Sequence, residues 1–182
     1  MKLDEDVIHI RKVLSGDTNA FRYFVRTYQE MGYSIAVSIL KHESDAKDVV
    51  QNAFIRAYKC LHTFKRDAKF STWFYRIVVN EALKHLRRDK KNKEITNFKG
   101  DTAKNTVVFN EMVAHFDHND DKAKIDRVLR LMKPKEALVL KLHYLHEAPI
   151  VEIEKITGFT KSNVKVLLHR ARKSFQALFI QT

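Results

Sequence analysis

Residues 44–91 read SDAKDVVQNAFIRAYKCLHTFKRDAKFSTWFYRIVVNEALKHLRRDKK. The apolar periodicity predicts a helix, then a basic and aromatic loop, then a second helix with two unlike faces. At roughly 100° per residue, one arc of about 80° on the second helix holds aromatic, polar and basic side chains: Trp73, Arg76, Asn80, Lys84, Arg87 and Lys91. The opposite side is apolar: Val78, Val79, Ala82, Leu83 and Leu86. We expect the apolar side to pack in a domain core and the basic side to face a partner.

The loop between the two helices, residues 62–72, mixes aromatic and basic side chains. With the tryptophan that follows, these are Phe64, Lys65, Arg66, Lys69, Phe70 and Trp73. Aromatic rings stack on unpaired bases while cations bind phosphates, so the composition favours single-stranded nucleic acid as a ligand. The alternative is that each aromatic residue is an ordinary core residue at a helix junction.

Three blocks in this region carry a family resemblance: DAKDVVQNAF (45–54), FSTWFYRIVVN (70–80) and LRRDKK (86–91). Together they resemble the promoter-melting domain of bacterial RNA polymerase sigma factors of the extracytoplasmic-function (ECF) type. The resemblance implies that the first helix docks on the clamp helices of the largest polymerase subunit through Asp45, Asp48, Gln51 and Asn52. Without the resemblance, this polar face would be interpreted as a solvated surface.

The same resemblance implies a set of residues that contact and melt the −10 promoter element. These are Phe64, Lys65, Phe70, Trp73, Arg76, Asn80, Lys84, Arg87 and Arg88. The segment GDTNAFRYFVRTY (16–28) also resembles the first helical block of the family. Within it, Asp17 is placed to cap a helix, which we expect to bend or break around residues 30–32.

The C-terminal part of the chain has the pattern of a helix-turn-helix. Pro134 and Pro149 each open a predicted helix, and a turn at Gly158 leads to a last long helix. The block VEIEKITGFTKSNVKVLLHRARK (151–173) resembles the sigma domain that recognises the −35 promoter element. The DNA contacts implied by the resemblance are Lys161, Ser162, Asn163, Lys165, His169, Arg170 and Arg172.

The charge distribution divides the chain into three parts. Residues 1–92 carry a net charge of +7, residues 93–121 carry −3, and residues 122–182 carry +8. We therefore predict two basic domains, 1–92 and 122–182, joined by a linker at 93–121, in which residues 106–116 could form a short helix or strand. Two basic domains favour a polyanion as partner, because neutralising phosphates releases counterions.

Several classes of protein are excluded by what the sequence lacks. A single cysteine, Cys60, excludes an internal disulfide, and no apolar run approaches the length of a membrane span. With no secretion signal at the N-terminus, we expect a cytoplasmic protein without direct membrane insertion. His115 with His118, and His143 with His146, are spaced like metal ligands, but neither pair has a third ligand nearby. We expect no metal, no cofactor and no catalytic residue, because phosphate-binding loops and nucleophile motifs are also missing.

These observations predict an all-α chain of two helical domains and a linker, the C-terminal domain being a helix-turn-helix. The resemblance implies a sigma factor whose partners are core RNA polymerase, promoter DNA in duplex and single-stranded form, and an anti-sigma factor. The first alternative is a stand-alone helix-turn-helix transcription regulator, which would leave the pattern of residues 44–91 unused. The second is an interaction protein that binds polymerase or a regulator without promoter selectivity.

Overall fold

A computed structural model describes residues 2–92 and 119–181, and every regular element within these two ranges is helical. The expected all-α class is therefore confirmed. The first range contains α1 (Lys2–Leu14), α2 (Arg22–Leu40), α3 (Glu43–Cys60) and α4 (Phe70–Asn92), with 3-10 turns at Thr18–Phe21 and Leu61–Thr63. The second contains α5 (Asn119–Leu131), α6 (Pro134–Leu140) with a π turn at Lys141–Leu145, α7 (Ile150–Thr157) and α8 (Lys161–Gln181).

The predicted linker falls largely on residues that the structure does not describe. Residues 93–118 lie outside the described ranges, and so do the predicted element at 106–116 and the pair His115 and His118. The last three residues of the predicted linker are helical, because α5 already begins at Asn119.

Helices α2, α3 and α4 pack together as the core of the N-terminal domain. Phe74 is fully buried there and stacks on Phe54, with ring centroids 4.4 Å apart. The predicted apolar stripe of α4 lies in the same core, since Val78, Val79 and Ala82 are at most 1% exposed. Burial of each such side chain contributes about 1.5–3 kcal/mol, so this stripe orients the whole helix.

The bend predicted near residue 31 is wrong, because α2 runs unbroken from Arg22 to Leu40. Gly32 lies inside this helix and is buried against α4. A Cβ atom at Gly32 would lie 3.3 Å from the Cε1 atom of Phe74. This glycine therefore allows α2 and α4 to approach closely. The hydrogen bonds of the surrounding helix override its low helix propensity.

Two polar contacts fix the beginning of the chain. The carboxylate of Asp17 accepts hydrogen bonds from the backbone N–H groups of Asn19 and Ala20, which confirms the predicted cap. On α1, buried Asp6 accepts a hydrogen bond from the hydroxyl of Tyr28 at 2.7 Å. Burial raises the pKa of the Asp6 carboxyl group, and the hydroxyl bond opposes that shift. The pair ties α1 to α2.

The C-terminal domain has the predicted helix-turn-helix. Pro134 occupies the first turn of α6, where its missing N–H costs nothing. Gly158 ends α7 at a φ of 73°, a left-handed conformation that favours glycine. Val164 and Ala171 of α8 are fully buried, so one side of this helix is fixed to its domain.

The two domains are in contact, with α7 packed on α4 and α6 packed on α2. The ammonium group of Lys141 donates to the hydroxyl of Ser34 at 2.9 Å. In the other direction, the ammonium group of Lys41 donates to the carbonyl of Leu129 at 2.9 Å. We call this packing of the two domains the closed arrangement.

Candidate nucleic-acid and polymerase interfaces

Helix α4 presents a continuous basic face to solvent. The side chains that form it are exposed and lie opposite the buried stripe: Arg76, Asn80, Lys84, Arg87 and Arg88. We call this set the α4 basic face. A helix that is fixed by its apolar side and offers cations on the other can follow the phosphates of a nucleic acid.

Two half-buried aromatic rings lie at the beginning of the α4 basic face. Phe64 and Trp73 have ring centroids 5.2 Å apart, and Lys65 next to them is exposed. Arg66 turns the loop with a φ of 61°. The Phe64–Trp73 pair therefore combines accessible ring surface with nearby cations, which is what stacking on an unpaired base requires.

Phe70, which was expected to contact DNA, lies in the core of the N-terminal domain. Its side chain is only 1% exposed, and its ring packs on Phe24 at 4.3 Å and on Tyr28 at 5.3 Å. A ring surrounded in this way has no surface on which a base could stack. The implied DNA contact of Phe70 is therefore corrected to a core position, from which the ring supports the Phe64–Trp73 pair.

The polar face of α3 is accessible. Asp48, Gln51 and Asn52 are exposed, while Asp45 is half-buried and lies 3.4 Å from the imidazole of His42. These four side chains can meet a protein partner from the solvent side. Their position agrees with a polymerase-docking surface but does not by itself name the partner.

An apolar groove of about 720 Å³ lies between α2 and α3, next to this polar face. Its walls include Phe21, Val25, Tyr33, Phe54, Ile55 and Tyr58. Ile55 is 47% exposed and Tyr58 is 41% exposed. The groove was not predicted from the sequence, although Ile55 and Tyr58, two large residues that lie outside the buried side of α3, were a usable signal.

The first turn of α8 is the exposed part of the helix-turn-helix. Lys161, Ser162, Asn163 and Lys165 are all exposed, which leaves their donors and acceptors available for a DNA groove. The hydroxyl of Thr160 caps this turn by accepting from the N–H of Asn163 at 3.3 Å. The beginning of α8 can therefore enter a major groove while its apolar side stays packed.

The later residues of the predicted −35 set lie closer to the protein. His169 and Arg170 are half-buried. Arg172 donates its Nε–H to the hydroxyl of Tyr144 at 2.8 Å, and its guanidinium lies over the same ring. Desolvation and the neighbouring Lys173 and Arg172 lower the pKa of His169, which favours the neutral form of its imidazole.

One side chain of the C-terminal domain touches the first turn of α4 and the loop residue just before it. The carboxylate of Glu152, on α7, accepts a hydrogen bond from the hydroxyl of Thr72 at 2.5 Å. The same carboxylate lies 3.7 Å from the ammonium nitrogen of Lys69. The sequence analysis missed this cluster, because Glu152 and Thr72 are 80 residues apart and no local pattern connects them.

The two lysines that cross between the domains have altered pKa values. Burial of the ammonium group, with Lys141 nearby, lowers the pKa of Lys41 to about 8. Burial also lowers the pKa of Lys141, with Asp126 opposing and Arg130 reinforcing the shift. Each ammonium still donates to an oxygen across the boundary, so the contacts offset part of this desolvation.

Within the described ranges, no helix combines the length and the apolar character that crossing a membrane requires. In the same ranges, no cluster of three or more His, Cys, Asp or Glu side chains is arranged around a common point that could hold a metal ion. The imidazole of His143 instead pairs with the carbonyl of Ala148 at 3.2 Å.

Comparison with known families assigns both domains. The family model for sigma-70 region 2 matches residues 24–92, and the model for sigma-70 region 4 matches residues 122–175. This chain belongs to the ECF-type sigma factors of bacterial RNA polymerase. It therefore binds core polymerase and promoter DNA and directs the start of transcription. A stand-alone regulator is not favoured, because the region 2 match lies outside the helix-turn-helix.

Individual relatives agree with this assignment. The ECF RNA polymerase sigma factor SigW of Bacillus subtilis is 28% identical over 176 residues, which are 92% of each chain. The ECF RNA polymerase sigma-E factor of Escherichia coli is 43% identical over 81 residues, 44% of this sigma factor and 42% of the relative.

Solved structures share the fold. CnrH, in complex with the cytosolic domain of CnrY, is 23% identical with a TM-score of 0.65, over 98% of this chain and 99% of that one. The sigma factor RpoE of Bartonella quintana, in complex with the anti-sigma factor NepR, is 17% identical with a TM-score of 0.67. That match covers 88% of this chain and 96% of the other.

Proposed function

We propose that this sigma factor divides promoter recognition between its two basic helices. In this scheme the domain of residues 122–182 binds the −35 element through α8, and the domain of residues 1–92 binds and melts the −10 element through α4. The observation that carries the proposal is the exposed α4 basic face beside the Phe64–Trp73 pair.

The upstream step rests on the first turn of α8. Lys161 and Lys165 provide charge for phosphates, while Ser162 and Asn163 provide hydrogen-bonding groups suited to base edges. Phosphate contacts set the position of the helix, and base contacts select the sequence. His169 and Arg170 extend this surface along the helix, whereas Arg172 acts mainly by holding α8 against Tyr144.

The downstream step rests on the Phe64–Trp73 pair. Unstacking a base costs a few kcal/mol. Stacking the flipped base on an aromatic side chain returns about 1–3 kcal/mol. Lys65 and the α4 basic face then hold the phosphates on either side of the captured base.

Polymerase docks on α3 in this proposal. Asp48, Gln51 and Asn52 form polar contacts with the clamp helices of the largest subunit, and Asp45 lies at the edge of that contact. The neighbouring groove adds apolar area through Ile55 and Tyr58, which gives a contact with a polar part and an apolar part.

The same scheme assigns no chemical step to this sigma factor, because nucleotide transfer belongs to the polymerase. Its place of action is the cytoplasm, where core polymerase and promoter DNA are found. An anti-sigma factor is a further proposed partner, and the titles of two structural neighbours describe complexes with CnrY and NepR.

The decisive experiment is transcription in vitro with core polymerase and a library of genomic promoter fragments. We expect start sites that share a two-element motif and that vanish when the sigma factor is left out. Binding to core without specific starts would favour the interaction-protein alternative. Failure to bind core would favour the stand-alone regulator.

A variant pair tests the docking surface in the same assay. Asp48→Lys reverses a charge on the proposed contact and should weaken core binding by roughly tenfold, because a like charge now faces the partner's complementary surface. Glu154→Lys makes the same change on α7 and serves as the control. Equal core binding by both variants would remove α3 from the proposed interface.

A further inference from the structure

The contact between Glu152 and the loop before α4 has the chemistry of a phosphate contact. Phosphate oxygens on DNA accept hydrogen bonds from hydroxyl groups and pair with lysines. The Glu152 carboxylate makes both interactions: it accepts a hydrogen bond from the hydroxyl of Thr72 at 2.5 Å and pairs with the ammonium of Lys69 at 3.7 Å. The Glu152 side chain is 12% exposed, so its carboxylate is largely removed from water, whereas the Lys69 side chain is 56% exposed.

The position of this contact overlaps the proposed −10 surface. Thr72 directly precedes Trp73, and Lys69 lies in the loop that also carries Phe64. Thr72 is 4% exposed, and its hydroxyl already has Glu152 as its partner. A phosphate that approaches these two donors must therefore displace the carboxylate.

From these contacts we infer that Glu152 is a built-in phosphate mimic that holds the free sigma factor closed and competes with promoter DNA. Thr72 and Lys69 are then a further phosphate-binding pair, available only after the domains separate. The inference rests on the proposed role of α4 and its loop in −10 binding. It adds the regulation of that same surface.

The dimensions of a promoter require such a separation. The −10 and −35 elements lie about 25 base pairs apart, or about 85 Å along the duplex at about 3.4 Å per base pair. A compact body of about 150 residues is only about 40 Å across. The closed arrangement therefore cannot occupy both elements, and one domain must move away from the other.

The boundary between the domains has the character of a reversible contact. It includes a cavity of about 440 Å³ beside Tyr75 and His146, and another of about 210 Å³ beside Lys69 and Glu152. Its hydrogen bonds include those donated by Lys41, Lys141, Thr72 and Arg130, the last to the carboxylate of Glu43, and water or DNA can satisfy these donors after opening. Polar, imperfectly packed boundaries of this kind permit domain motion.

The test measures opening and DNA binding separately in the full chain. Spin labels on Lys59→Cys and Lys173→Cys, in a Cys60→Ser background, report the distance between the domains. Fluorescence anisotropy reports the binding of a short single-stranded oligonucleotide of randomised sequence. Glu152→Gln removes the charge, while Glu154→Gln removes a charge two residues along the same helix and is the matched control.

We expect Glu152→Gln to shift the label distances towards longer values and to tighten oligonucleotide binding by about fivefold, since apparent affinity scales with the competent fraction. Glu154→Gln should change neither quantity. His146→Ala removes a ring that packs on Tyr75 across the boundary, with ring centroids 4.8 Å apart, and should open the boundary and tighten binding with the loop and Glu152 intact. Unchanged distances in Glu152→Gln would overturn the inference, and so would longer distances without tighter binding.

Failure of the proposed function would look different. If α4 and its loop do not bind DNA, the label distances still respond to Glu152→Gln. Oligonucleotide binding then stays equally weak in every variant, including Lys65→Ala. That outcome would overturn the phosphate-mimic role together with the −10 assignment, while the closed arrangement itself would stand.

Discussion

Helices α4 and α8 are built alike, yet they present their basic sides to solvent in different ways. Both are long, with 23 and 21 residues, and both bury an apolar stripe in their own domain. At the beginning of α8, Lys161, Ser162, Asn163 and Lys165 are exposed. The first turn of α4 lies under α7, where Thr72 is bound by Glu152.

The comparison shows that packing of a helix within its own domain and coverage of that helix by the other domain are separate properties. An amphipathic pattern fixes which side of a helix packs in its own domain. Whether a second domain covers part of the remaining side depends on long-range contacts. In the closed arrangement the proposed −35 surface is accessible, whereas the loop that leads into the −10 surface is partly occupied.

The largest expected effect is on stability and concerns Phe70, the aromatic residue at the beginning of α4 that lies in the core. Phe70→Ala should lower the free energy of unfolding by about 3–5 kcal/mol, because the ring is buried and leaves a cavity. Thermal or denaturant unfolding measures this loss. Phe64→Ala, at a half-buried position, should cost clearly less. Wild-type stability of Phe70→Ala with a selective defect in promoter opening would restore its role as a base contact.

The next effect concerns the base-stacking pair. Trp73→Ala should reduce promoter opening by roughly tenfold to a hundredfold, because stacking contributes about 1–3 kcal/mol per base. Initial duplex binding should fall much less. Permanganate reactivity of −10 thymines measures opening, and gel shifts measure the closed complex. Normal reactivity, or an equal loss in both assays, would contradict the assignment.

A smaller effect is expected at the exposed end of α8. Lys165→Ala should weaken upstream binding across sequences and reduce the dependence of log K on log salt by about 1, as expected for one phosphate contact. Footprinting over the −35 element at several salt concentrations measures both quantities. Lys133→Ala, an exposed lysine between α5 and α6, is the control. An unchanged footprint in Lys165→Ala would exclude this contact.

The smallest effect concerns the pH dependence of the closed arrangement. The pKa of Lys41 is about 8 in the closed form, below the ordinary value of 10.5 that a solvated lysine has after opening. Between these values the open form binds more protons, so raising the pH favours closure. The lowered pKa of Lys141 acts in the same direction. Burial raises the pKa of Tyr75 in the closed form, so ionisation of its hydroxyl after opening would act in the opposite direction near the ordinary tyrosine pKa of 10.0, and the effect of the lysines is measured below that pH.

Label distances at about pH 7 and about pH 9 measure this response. We expect a larger closed fraction at the higher pH, and a weaker response in Lys41→Met. A shift towards longer distances on raising the pH would show that ionisation elsewhere controls the boundary.

The sequence alone determined the helical class, the helix-turn-helix and the basic faces of α4 and α8. These features follow from local periodicity, caps and turns, as the Asp17 cap and the left-handed Gly158 illustrate. Asp48, Gln51 and Asn52 of α3 are exposed, and their role in polymerase docking stays a prediction. Such features need only neighbouring residues for their definition.

Tertiary structure alone decided three other points: the burial of Phe70, the passage of α2 through Gly32 without a break, and the meeting of Glu152 with Thr72. Each depends on residues far apart in the chain, for example Thr72 and Glu152, which are 80 positions apart. Periodicity records which side of a helix is apolar, but not which distant surface packs against it. For that reason the sequence located both helices that we propose to bind DNA but did not reveal that one domain covers part of the other's surface.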